Sequence, residues 1–140
     1  YAAHAITPVG LDELLRASDA VTLHVPLDDS TRGLLDASRL ATMKPGAILV
    51  NNARGGLVDE AALARLLASG HLAGAACDVF ATEPPADRTL IDLPNFLSTP
   101  HIGGASEEAV LAMGRAAIEN LERAALPSVI VPELFADSAR

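Results

Sequence analysis

Four ionisable side chains stand just past, or at the end of, short apolar runs. Arg54 follows Ile48-Leu49-Val50-Asn51, Asp78 and Glu83 follow Ala75-Ala76-Cys77, and His101 follows Phe96-Leu97-Ser98-Thr99. A histidine is the natural proton donor near neutral pH. A carboxylate beside it would hold one tautomer and stabilise the imidazolium. An arginine nearby would clamp a substrate carboxylate in a bidentate grip. Together Arg54, Glu83 and His101 suit reduction of a carbonyl next to a carboxylate, or the reverse oxidation. Each has a plainer reading when taken alone. Arg54 could snorkel or pair on the surface, Glu83 could be a solvated loop charge, and His101 could cap a helix or bond to backbone. Asp78 is harder to dismiss, because an unpartnered carboxylate in an apolar strand is costly. It must receive local hydrogen bonds or face a ligand. Cys77 reads as a small core residue, and His4, His24 and His71 as structural or surface residues.

These residues need elements that bring them to one place. Ala47–Asn51, Ala73–Val79 and Phe96–Thr99 read as strands, as do Val21–Val25, ended by Pro26, and Ile6–Val9. Leu11–Ala17 has helical spacing, a short helix is expected near Asp36 or Ser38, and Asp59 caps a helix that runs to Ser69. Residues Ala81 to Asp92 form a loop, and Ser106 opens the longest helix, to about Ala125. The tail with Pro127 and Pro132 reads as strand-like or irregular. Strands alternating with helices imply right-handed crossovers and a parallel sheet. The loops after the strands then share one edge, where ligands bind in such folds. Gly55 and Gly56 would let the backbone turn there and a ligand come close. Gly103-Gly104 before a helix is a weaker sign of the same kind.

With 140 residues the chain can build one domain with a core. Half the residues are hydrophobic and only 3% aromatic, which suits aliphatic α/β packing. A net charge of −8 argues against nucleic acid or an anionic membrane as partner. Cys77 is alone, so no internal disulfide is possible and a reducing cytoplasm fits. No apolar run is long enough to span a bilayer, and no metal is expected. Tyr1 is not an initiator Met, which fits a piece of a longer protein.

Four ordered stretches resemble the D-isomer-specific 2-hydroxyacid dehydrogenases: HVPLDDSTRGLLD from His24, MKPGAILVNNARGGLVDEAAL from Met43, GHLAGAACDVFATEPP from Gly70 and STPHIGGASEEA from Ser98. The resemblance extends from about Asp12 to Leu121. It implies an α/β fold: a partial Rossmann-type, doubly wound parallel sheet lacking its first βαβ unit. Residues 1–125 would be the C-terminal part of the NAD-binding domain, and 126–140 a tail returning towards the substrate domain. Arg54 matches the substrate-binding arginine, Glu83 the glutamate paired to the catalytic histidine, and His101 that histidine. Asp78 matches the acid beside the nicotinamide carboxamide. Asn52, Ala53 and Arg54 match a strand-end segment along the cofactor, Val25 and Pro26 residues near the adenosine half, and His101, Ile102, Gly103 and Gly104 a further cofactor segment. The implied cofactor is NAD, with NADP left open because no ribose-reading acid is present. The implied partner is a small 2-hydroxy or 2-keto acid, and the full-length protein would be a homodimer. A nucleotide-sensing corepressor of the same fold and an inactive truncated remnant are the alternatives. No GxGxxG occurs. The missing first strand would leave Val21–Val25 as an unpaired apolar edge, so the isolated chain is expected to bind cofactor weakly and to self-associate.

Overall fold

Parallel strands need crossover connections, and here every crossover advances the sheet by one position. The computed structural model describes residues 6–123, as α1 (Leu11–Ala17), β1 (Ala20–Leu23), α2 (Ala37–Ala41), β2 (Ile48–Asn51), α3 (Glu60–Ala68), β3 (Gly74–Cys77), β4 (Phe96–Ser98) and α4 (Glu107–Arg123). All neighbouring strands pair in parallel, in the order β1-β2-β3-β4. That is the sequential run of one half of a doubly wound sheet. The chain forms two compact units, Tyr1–Gly103 and Gly104–Arg140.

Alternate strand residues face the core of the first unit. Val21, Leu23, Leu49, Ala75 and Cys77 are buried with Leu15, Leu35, Leu40, Leu63 and Leu67. The other sheet face leaves Ile48 and Leu97 exposed. Local chemistry sets the helix ends as expected: the Asp36 carboxylate accepts from Arg39 N, and the Asp59 carboxylate from Ala62 N. In the second unit the Ser106 hydroxyl accepts from Ala109 N to open α4, whose Val110, Leu111, Ile118 and Leu121 are exposed.

Four expectations need correcting. Ile6–Val9 is irregular, not a strand, and both of its ends are exposed. The first strand stops at Leu23, so Val25 and Pro26 lie in an exposed loop. That strand is indeed an edge, but its apolar Val21 and Leu23 are buried beneath the helices, and Thr22 and His24 take the open side, bonded to each other. The third strand ends at Cys77, so Asp78 sits one residue past it. The expected tail over 126–140 lies outside the described residues.

Candidate active site

Because the sheet is parallel, the strand ends of β1 to β4 all open on one edge. Three of the loops there carry the candidate residues.

The loop after β2 is tied by Asn51, which is 2% exposed. Its side chain accepts from Ala53 N (3.2 Å) and donates to Arg54 O (3.0 Å). A buried amide with both ends used fixes the turn. Asn52 and Arg54 are exposed and Ala53 is half-buried. The Arg54 guanidinium donates to the Ala53 carbonyl at 2.6 Å. Gly55 follows with a purpose different from the expected one. A Cβ there would lie 1.9 Å from the Phe80 carbonyl oxygen, so the close approach is by the next loop's backbone.

The loop after β3 starts at Asp78, 9% exposed. Its Oδ1 accepts from the Thr99 hydroxyl and from Ile102 N (2.9 Å), and its Oδ2 from Gly103 N (2.8 Å). The local hydrogen bonds of the first sequence reading are present. The Thr99 hydroxyl, and then the Gly103 and Ile102 amides, hold the carboxyl below its ordinary range. A carboxylate accepts about four hydrogen bonds, so one acceptor position remains on Oδ2. Gly103 is required by this contact: a Cβ would come 2.9 Å from Asp78 Oδ2.

Glu83 lies further along the same loop. Its Oε1 accepts from Phe80 N (2.9 Å) and its Oε2 meets His101 Nδ1 (2.8 Å). The His101 contact first, then the Phe80 amide, lowers the Glu83 carboxyl. A carboxylate only accepts, so Nδ1 carries the proton and Nε2 is turned to the other side of the ring. His101 is held at φ 55°, the only positive value outside glycine among the described residues. The Asp78 bonds on either side, at Thr99 and at Ile102 and Gly103, bracket this residue. The plainer reading of His101 as a helix cap is not realised, since Ser106 does that work.

An open cleft of about 430 Å³ lies against the pair, lined by Asp78, Phe80, Glu83, Arg88, Thr99 and His101 among others. Arg54 does not line it, so the structure joins two of the three expected catalytic side chains and leaves the arginine on a neighbouring crest. A second hollow of about 140 Å³ is lined by Asn52, Asp78 and Thr99 at the ends of β2, β3 and β4. Val25 and Pro26 lie beyond β1 on the same edge, and Gly104 is exposed at the start of the second unit.

Residues 1–103 match the family description "D-isomer specific 2-hydroxyacid dehydrogenase, NAD binding domain". The chain belongs to that family. It is 47% identical over 117 residues to a glycerate dehydrogenase of Methylorubrum extorquens, covering 81% of this chain and 37% of that protein. It is 49% identical over 115 residues to an (S)-sulfolactate dehydrogenase of Chromohalobacter salexigens, again covering 81% and 37%. Among solved structures, a glyoxylate reductase from Paecilomyes thermophila superposes with a TM-score of 0.78 at 40% identity, over 81% of this chain and 35% of that one. The chain therefore spans well under half the length of these relatives.

The residues of this family member fit a nicotinamide cofactor on one structural count: Asp78, almost buried, keeps one acceptor position beside the hollow reached by Asn52. Sequence reasoning missed Asn51, Gly55 in its true role, Glu60, Phe80 and Thr99. Asn51 offered a signal, a polar residue ending an apolar strand. Glu60, whose carboxylate accepts from Ala81 N at 2.7 Å, offered none, since a helix-opening glutamate is commonplace.

Proposed function

We propose that this chain supplies the acid–base half of the active site of an NAD-dependent dehydrogenase acting on a small D-2-hydroxy or 2-keto acid. The Glu83–His101 pair, with a second oxygen of Glu83 fixed by the Phe80 amide, is the observation that carries the reading. Bound NAD would exchange a hydride with C2 of the substrate. In reduction, His101 gives its Nε2 proton to the carbonyl oxygen; in oxidation, it takes the hydroxyl proton. Glu83 stays ionised throughout and stabilises the imidazolium formed in each cycle. Arg54, whose fork matches a carboxylate, would orient the substrate. Asp78, Asn52, Ala53, Val25, Pro26 and the backbone of His101 to Gly104 would hold the cofactor. NADP is kept as the alternative cofactor, because no ribose-reading acid lies in the chain.

In the same reading, residues 1–125 belong to the NAD-binding domain and 126–140 lead towards a substrate domain in a cytoplasmic homodimer. Neither nucleic acid nor membrane is a partner. The net charge of −8 supports this.

His101→Ala in the full-length enzyme should lower kcat by roughly 10²–10⁴-fold, the usual contribution of general acid–base catalysis. Cofactor affinity, read by NADH fluorescence, should be unchanged. Retained turnover would overturn the assignment.

A further inference from the structure

Glu60 is the first residue of α3, and its Oε1 accepts the amide of Ala81 at 2.7 Å. The bond crosses from the helix that follows the Arg54 loop to the loop that carries Glu83. One residue earlier, Phe80 N donates to Glu83 Oε1 at 2.9 Å, and Glu83 Oε2 meets His101 at 2.8 Å. Two carboxylates thus grip two successive amides. The peptide between them is held from a third side as well, since Gly55 packs directly on the Phe80 carbonyl. The Phe80 ring is 8% exposed and meets Phe96 edge-on at 6.3 Å. Glu83 is itself half exposed on a loop rich in proline and has both oxygens committed. Its orientation is therefore inherited from the Phe80 amide, and the setting of that amide from the next peptide, Phe80–Ala81, which Glu60 and Gly55 hold.

We propose that Glu60 is a positioning residue for the Glu83–His101 pair, acting through the Ala81 amide. The proposal rests on the acid–base reading above. It makes the Arg54 loop, the start of α3 and the Glu83 loop one rigid piece, so that proton transfer depends on a residue that touches neither substrate nor cofactor.

A merely structural role would also exist for this glutamate, because an acid in a first helical turn favours the helix through its charge. Three substitutions separate the two. Glu60→Gln keeps an acceptor oxygen at the same reach and loses the charge. Glu60→Asp keeps the charge and falls one methylene short. Glu60→Ala loses both. In the full-length enzyme, Glu60→Asp and Glu60→Ala should lower kcat about 10- to 100-fold, the scale of a small misplacement of a catalytic group. KM for the cofactor should hold, and Glu60→Gln should stay close to wild type.

The Glu83 carboxyl faces His101, with Asp78 and Arg88 lining the same cleft. Followed by carbon-13 NMR, it should titrate nearer its ordinary range in Glu60→Asp than in wild type. If Glu60→Ala does not fold, the Gln and Asp variants decide. Glu60→Gln as impaired as Glu60→Asp, or Glu60→Asp with wild-type kcat and Glu83 titration, overturns the proposal. An active His101→Ala enzyme would instead remove the acid–base reading, while the Glu83 titration would still report on the bracket.

Discussion

Replacing Asp78 by asparagine changes almost no volume, so its effect isolates one carboxylate. Oδ1 accepts from the Thr99 hydroxyl and Ile102 N, and Oδ2 from Gly103 N. Asparagine offers one oxygen and one NH₂. If the oxygen takes the Oδ1 position, the Gly103 amide faces a donor. If it takes the Oδ2 position, the Ile102 amide does, while the Thr99 hydroxyl can turn to accept. One backbone bond to a charged group is lost either way, and at 9% exposure water replaces it poorly. Such a bond contributes about 1.5–3 kcal/mol, and an unmet donor costs about 1–3 kcal/mol, so a loss of about 2–4 kcal/mol is expected. For a domain of this size that is a fall in Tm of roughly 8–15 °C.

The pH dependence gives a second reading of the same contact. The Asp78 carboxyl is lowered in the folded state, with the Thr99 hydroxyl as first cause. A lowered folded value gives stability that is complete above the unfolded value of about 3.9 and lost as pH falls through the folded one. The difference between wild type and Asp78→Asn should therefore be full at about pH 6 and shrink below about pH 4. Urea unfolding followed by circular dichroism across that range measures it. An unchanged midpoint at neutral pH, or a difference that stays constant in acid, would refute the idea that this carboxylate holds the His101 loop.

Two further outcomes follow from the same loops. Gly55→Ala puts a Cβ 1.9 Å from Phe80 O and 2.6 Å from Ala81 N, both backbone, so the loops must part; a loss of about 3 kcal/mol is expected from such overpacking, and a near-wild-type urea midpoint would contradict it. Burial first, and the Glu60 charge second, push the Cys77 thiol up to about 12, so a thiol reagent near neutral pH should react only after urea is added; rapid labelling of the native protein would contradict the burial.

The elements were legible where side-chain chemistry is local. Asp36, Asp59 and Ser106 announce the helices they cap, and the aliphatic cores of β2 and β3 announce themselves by residue type. Strand ends were less legible: Val25 and Val79 are as apolar as the residues before them, and only pairing with neighbours decides where a ladder stops. Ile6–Val9 has the composition of a strand but pairs with none of the described residues. In the site, the motifs singled out Glu83 and His101, which do meet. They could not reveal that Gly55 makes room for backbone, nor that Glu60 reaches Ala81, because both contacts join residues more than twenty positions apart.

On the proposed function, the separation of Arg54 from the joined pair sets a requirement on the substrate. Glu83 is held by the Phe80 amide and His101, and Asp78 holds the residues on either side of His101, all within the loops after β3 and β4. Arg54 belongs to the loop after β2, and β3 lies between it and His101. Two strand spacings are about 10 Å. An imidazole that protonates a carbonyl and a fork that holds the adjoining carboxylate must both touch the same few atoms. On that reading the guanidinium would leave the Ala53 carbonyl and extend across the end of β3. An extended arginine and a short acid cover that gap together, and neither covers it alone. On the proposed function, a 2-hydroxy or 2-keto acid would lie between the two, its reacting carbon at His101 and its carboxylate at Arg54.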